Sequence, residues 1–122
     1  MIGLGIDLCR ISRMRRMMEN EKFLPRYFSV EEQEYVASRG KMGPDSAAAI
    51  FAAKEAALKA LGTGFAGIHP QDVVILHAPS GQPYYDLRGA ALSRMQEVGG
   101  RRMHLSLTHE EDTAAAVAVL EE

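Results

Sequence analysis

The 122-residue chain has no tryptophan and one cysteine, and its aromatic share is only 7%. Cys9 stands alone, so no intrachain disulfide can form, and a thiolate metal cluster would need more ligands. It reads as a small buried residue. No run approaches the ~20 apolar residues that cross a membrane as a helix. The opening residues, MIGLGIDLCR, have no basic leader followed by an apolar segment and do not read as a signal peptide. Charge of one sign is missing in bulk: the formal net is −2, which excludes a polyanion binder acting by overall charge. The expectation is a cytoplasmic protein forming one domain over residues 1–122.

The hydrophobic content of 47% and charged content of 25% are ordinary for a soluble globular chain. The charges are not evenly spread. Between Arg10 and Arg26, five arginines and one lysine face Glu19 and Glu21, a local net of +4. Such a patch suits an acidic partner, although an ordinary solvated helix face has the same composition.

Periodicity divides the chain into short elements. MIGLGIDLC alternates, with Ile2, Leu4, Ile6 and Leu8 on one face and Gly3, Gly5, Asp7 and Cys9 on the other. Asp7 is an unusual strand residue, and the glycines beside it suggest open space. Ser12 is a candidate cap for a short basic helix ending near Asn20. SVEE at residues 29–32 is a capping box that opens a helix to about Ser38. Asp45 is a candidate cap for an alanine-rich helix that runs to Leu61 and stops on Gly62. DVVILHA and YYDL flank the turn PSGQP as a hairpin, RGAALSRMQEV is a helix, and MHLSLTH and TAAAVAVLE are strands joined through EED. The fold class is α+β: one mostly antiparallel sheet with helices packed against it.

Chemistry concentrates in FAAKEAALKALGTG, residues 51–64. Glu55 and Lys59 share a helix face, the spacing of a surface ion pair, but Phe51 lies on that side too, so the face is partly covered. A carboxylate beside apolar cover needs a partner or a metal. Asp7 supplies a second carboxylate from a distant segment, and two carboxylates are a common protein contribution to a Mg²⁺ site completed by water and substrate phosphates. Gly62 and Gly64 allow close backbone approach to phosphate oxygens, while Gly62 also serves as a helix stop. His104, Ser106 and Thr108 share a strand face with His109 at its end, lining either a cleft or solvent. Ser106 lacks the strand–turn–helix setting of a serine nucleophile.

Together GIDL, FAAKEAALKALGTG and HLSLTH…TAAAVAVLE resemble holo-acyl-carrier-protein synthase, the small bacterial type of 4′-phosphopantetheinyl transferase. The likeness spans nearly the whole chain in order and spacing. YFSVEEQEY and SGQPYY also fall where relatives carry similar segments. The resemblance implies transfer of the phosphopantetheine arm of coenzyme A to a serine of apo-acyl carrier protein, with release of adenosine 3′,5′-bisphosphate, in support of fatty acid biosynthesis. By position, Asp7 and Glu55 would hold Mg²⁺, Lys59 would contact the transferred phosphate, and Glu55 would take the serine proton directly or through a metal-bound water. Gly62, Thr63 and Gly64 would border the coenzyme A site. Ser106, Thr108 and His109 match the S-x-T-H segment that a neighbouring subunit of a homotrimer contributes. Arg13 matches the arginine that docks the acidic carrier, with Met17, Phe23 and Arg26 extending that surface. No nucleic-acid or membrane partner is implied. One departure stands out: relatives often carry a basic residue where this chain has Ile50, so either another cation, such as Lys41 or Lys54, replaces it or the coenzyme's 3′-phosphate is held less firmly. From the residues alone, a nucleotide hydrolase using Asp7 and Glu55, or a non-catalytic module binding acidic proteins through the Arg10–Arg26 patch, remain open.

Overall fold

The computed structural model describes residues 1–64 and 66–122. Its elements are β1 (Gly3–Arg10), α1 (Ile11–Met17), α2 (Phe23–Tyr27), α3 (Val30–Ser38), α4 (Gly43–Leu61), β2 (Val73–His77), β3 (Pro83–Leu87), α5 (Gly89–Glu97), β4 (Arg102–Glu110) and β5 (Thr113–Glu121). The architecture is α+β with antiparallel strands, as expected, but the strands form two sheets. One has the order β1-β5-β4; the other is the β2–β3 hairpin.

Helix α4 runs through the middle, and its composition explains the sheet beneath it. Its buried residues include Ala52, Ala53, Ala56, Ala57 and Ala60. Opposite them lie Gly3 and Gly5 of β1 and Ala114, Ala116 and Ala118 of β5. A Cβ on Gly5 would collide with the carbonyl oxygen of Ala56, and one on Gly3 with that of Ala60. The glycines therefore leave no open space; they admit the helix backbone itself. The buried face of β1 is thus the glycine side and not the aliphatic one. Leu4, Ile6 and Leu8 point outward at 57%, 59% and 63% exposure. In register with them, Val119, Val117 and Ala115 of β5 and His104, Ser106 and Thr108 of β4 complete that outer face.

Caps account for the helix ends. Ser29 and Glu32 form the expected reciprocal box at the start of α3. Gly62 ends α4 in the left-handed region at φ 77°. Asp45 does not cap α4: the helix begins two residues earlier, with Pro44 in its first turn, and Asp45 lies inside that turn where a carboxylate complements the helix dipole. Ser12 does not cap a helix either; it sits inside α1 and bonds to Asp112 across the molecule. The short helix α2 was not apparent in the sequence.

Glu32 and Lys54 form the polar centre of the core, both 0% exposed. Glu32 Oε1 accepts from Lys54 Nζ at 2.7 Å and from the Ser29 amide at 2.8 Å, and Oε2 accepts from the Ile75 amide at 2.8 Å. The ammonium also donates to the carbonyls of Pro70 and Val73, each at 2.8 Å. Its three protons are thus used, as a buried charge requires. This knot ties α3, α4 and β2 together.

Candidate active site

Asp7 projects from the α4-facing side of β1. On α4, Glu55 and Lys59 follow one another by four residues on the side of the helix nearest β1. Lys59 does not pair with Glu55. Its Nζ donates to Asp7 Oδ1 at 3.0 Å and to the Ile6 carbonyl at 2.9 Å, while just over half of the side chain stays in solvent. The second Asp7 oxygen, Oδ2, is buried and receives no hydrogen bond from the described side chains or backbone when Glu55 is ionised. Glu55 faces it. Burial, then a hydrogen bond to Asp7 and the charge of Asp7, push the Glu55 carboxyl from an ordinary 4.5 up to about 7, against the opposing charges of Lys59 and Arg13. A proton on Glu55 bridges the two carboxylates; once it leaves, two negative charges share a half-buried corner.

That arrangement fits a divalent cation. A buried carboxylate oxygen without a donor, beside a second carboxylate reluctant to ionise, is a pair of hard oxygen ligands short of a positive charge. No group of three or more histidine, cysteine or carboxylate ligands occurs among the described residues; a cation at this corner would rely on water and substrate for its remaining ligands.

Beyond Lys59 the helix ends at Gly62, followed by Thr63 and Gly64, whose φ of 56° is again left-handed. Arg94 of α5 donates to the Leu61 carbonyl at 3.0 Å, a helix-end contact the sequence did not reveal. Arg13 and Met17 of α1 and Phe23 and Arg26 of α2 converge on one groove of about 700 Å³ together with Tyr27, Phe51 and His69. The ring of Phe23 lies 5.1 Å from Tyr27 and 6.3 Å from Phe51, centroid to centroid. Phe51 precedes Glu55 by one helical turn, so this aromatic floor leads towards the carboxylates.

Three expected residues do not join them. Ser106 and Thr108 project from the opposite sheet face and lie across β5 from β1, a separation of roughly 10 Å. With His109 they line a cleft of about 500 Å³ beside Ile50, Arg39, Tyr35 and His77. Tyr35 and His77 stack at 3.8 Å, and the Arg39 guanidinium lies 5.8 Å from the Tyr35 ring. Burial and the Arg39 charge lower the His77 pKa. Lys54 must be removed from the ligand-binding set: its ammonium is buried and committed to Glu32, Pro70 and Val73. Lys41 remains exposed.

A paired-carboxylate corner, a lysine reaching over it and a glycine-bounded loop together suit the class of small enzymes that transfer phosphate-linked groups. Residues 3–118 match the 4′-phosphopantetheinyl transferase superfamily, and the chain belongs to it. It is 48% identical over 120 residues to the holo-[acyl-carrier-protein] synthase of Treponema denticola, with 98% of each chain covered. Among solved structures it resembles the holo-[acyl-carrier-protein] synthase of Neisseria meningitidis, with a TM-score of 0.89, 36% identity and all of both chains covered. The Helicobacter pylori holo-[acyl-carrier-protein] synthase, solved in complex with coenzyme A, aligns at a TM-score of 0.80 and 28% identity over 97% of this chain and 99% of that one.

Proposed function

We propose that this chain transfers the 4′-phosphopantetheine arm of coenzyme A to a serine of apo-acyl carrier protein, releasing adenosine 3′,5′-bisphosphate. The observation that carries the reading is the corner formed by Asp7, Glu55 and Lys59 in a member of this superfamily. Asp7 and Glu55 would hold Mg²⁺, which when bound would supply positive charge to the substrate's phosphate oxygens. Lys59, flexible and more than half exposed, turns its ammonium to the phosphate being transferred. The serine oxygen bonds to the β-phosphorus as the bond to the departing bisphosphate breaks. Glu55, whose carboxyl is pushed up to about 7, in its ionised form would receive the proton the serine loses. Gly62, Thr63 and Gly64 border the coenzyme. With Lys54 committed to the core, Arg39, which lines the same cleft as Ile50, is a cation placed for the 3′-phosphate.

The active assembly in this reading is a homotrimer. Leu4, Ile6 and Leu8 form an outward apolar strip that suits contact with a neighbouring subunit. Ser106 and Thr108 lie on that same face, turned away from Asp7 of their own chain, so a neighbouring subunit is the direct route for them to reach a site. The carrier docks on the groove of Arg13, Met17, Phe23 and Arg26, where two guanidinium groups flank an aromatic floor and suit an acidic partner with apolar contacts. The reaction belongs to the cytoplasm, within fatty acid biosynthesis; no helix among the described residues is long and apolar enough to cross a membrane.

The test is incubation of the protein with Mg²⁺, coenzyme A and an apo-acyl carrier protein. A gain in carrier mass of one phosphopantetheine arm, with release of adenosine 3′,5′-bisphosphate, is expected. Hydrolysis of the coenzyme without carrier modification would instead support a phosphate-ester hydrolase.

A further inference from the structure

Helix α1 takes its cap from the far end of the chain. Arg10 occupies its N-cap position with φ −74° and ψ 130°, the extended backbone of a capping residue, yet its side chain makes no capping bond. Asp112, in the turn between β4 and β5, fills the role. Its Oδ1 accepts the Ser12 amide at 2.9 Å, its Oδ2 accepts the Ser12 hydroxyl, and its carbonyl accepts the Ile11 amide at 2.8 Å. The Ser12 hydrogen bond, before other influences, holds the Asp112 carboxyl below the usual carboxylate range. The turn bears a mark of constraint at the neighbouring residue: Glu111 sits at φ 53°, a left-handed conformation unusual for a residue other than glycine.

The other hold on α1 is apolar: Ile11, its first residue, and Met14 are buried in the core. The helix has seven residues, too few to be stable alone, and no acid of its own in the first turn. Met14 anchors one side in the core, while Arg13 and Met17 reach the groove on the other. A small rotation of so short a helix moves both. We propose that Asp112 is a positioning residue for carrier recognition: the cap it lends from the β4–β5 turn sets the orientation of α1 and so places Arg13 and Met17. This rests on the reading of the groove as the carrier surface.

The experiment compares wild type with Asp112→Ala, with Asp112→Ala/Arg10→Ser and with Asp112→Ala/Arg10→Ala. Serine at position 10 lies on backbone already suited to capping, so it replaces the borrowed cap by a local one; alanine removes the same arginine without providing a cap. Amide hydrogen exchange is read at Ser12 and Arg13, and transfer kinetics are measured with carrier and coenzyme A varied in turn. In Asp112→Ala, exchange at these amides should quicken about fivefold, the factor of an ordinary N-cap. The carrier KM should rise by a similar factor, while kcat and the coenzyme A KM stay within twofold. Arg10→Ser should restore both readouts and Arg10→Ala neither. The proposal is overturned by unchanged exchange or carrier KM, by an equal decline in all kinetic constants accompanied by a lower Tm, or by serine and alanine acting alike. If wild type modifies no carrier, the groove reading and the docking role fall together, while the exchange arm still decides whether the cap exists.

Discussion

Glu55→Gln should stabilise the metal-free protein above neutral pH while destroying its activity. The cause is the corner shared with Asp7. Glu55 titrates near 7 in the folded chain and near 4.5 when unfolded, so between those values the folded state binds the extra proton. Stability must therefore fall as pH rises through this window, because ionising Glu55 costs more in the folded state. At 1.36 kcal/mol per pH unit the interval sets an upper limit of roughly 3 kcal/mol. Glu55 retains considerable contact with water, and solvent screening reduces the figure to about 1–2 kcal/mol. Glutamine keeps the shape and never ionises. In chelator at pH 8 the variant should melt about 5 °C above wild type, and at pH 4.5 the two should coincide. Adding Mg²⁺ at pH 8 should raise the wild-type Tm and move the variant much less, since ligand binding stabilises only the state that binds it. Thermal melts followed by circular dichroism across this pH range, with and without Mg²⁺, read all three effects. A variant no more stable than wild type at pH 8 in chelator would refute the description of the corner as strained by its own charge.

Other expectations concern packing, docking and assembly. Gly5→Ala should cost about 3 kcal/mol in denaturant unfolding, because the added methyl meets the α4 backbone at Ala56. Lys54→Ala should cost about 3–5 kcal/mol by leaving Glu32 charged and unpaired; a Lys54→Met/Glu32→Leu double variant should recover most of that loss, and its failure to do so would mean that the core depends on the polar knot itself. Arg13→Glu should raise the carrier KM about tenfold and flatten its salt dependence, leaving the coenzyme A KM nearly unchanged in steady-state assays. Glu55→Ala and His109→Ala, each first shown to be impaired alone, should regain activity when co-refolded; mixed trimers no more active than either parent would place the whole site within one chain.

Much of the fold could be read from the sequence because its signals are local. The Ser29–Glu32 box, the Gly62 stop and the turn between β2 and β3 depend on neighbours a few residues away. The face that β1 buries does not. Alternation defined two faces, but only the approach of α4 selects the glycine side, leaving three aliphatic residues outside. The lysines illustrate the same limit within one helix. Lys54 and Lys59 are five residues apart, about 140° around the axis, so they cannot share a face. Helix geometry alone separates Lys54 from Glu55 by about 100° and from Lys59 by about 140°; the partner that buries it, Glu32, lies on another helix. Asp112 left no local trace, since its partner Ser12 is one hundred residues away. The carboxylate corner was legible because aspartate beside glycines in a strand and glutamate beside phenylalanine in a helix each defy their surroundings.

The order β1-β5-β4 also governs when the molecule can fold during synthesis. β5 lies in the middle, and β1 and β4 bond to it and not to each other. Yet β5 begins at Thr113, more than a hundred residues after β1. A growing chain thus carries β1 and α4 for most of its time on the ribosome without a ladder for the strand or a completed sheet under the helix. The alanines of α4 bury little area individually, so the nascent helix gains little until that floor is laid. Folding of this half is deferred to the arrival of its central strand, and the early chain, with Leu4, Ile6 and Leu8 unpaired, is a natural client for chaperones.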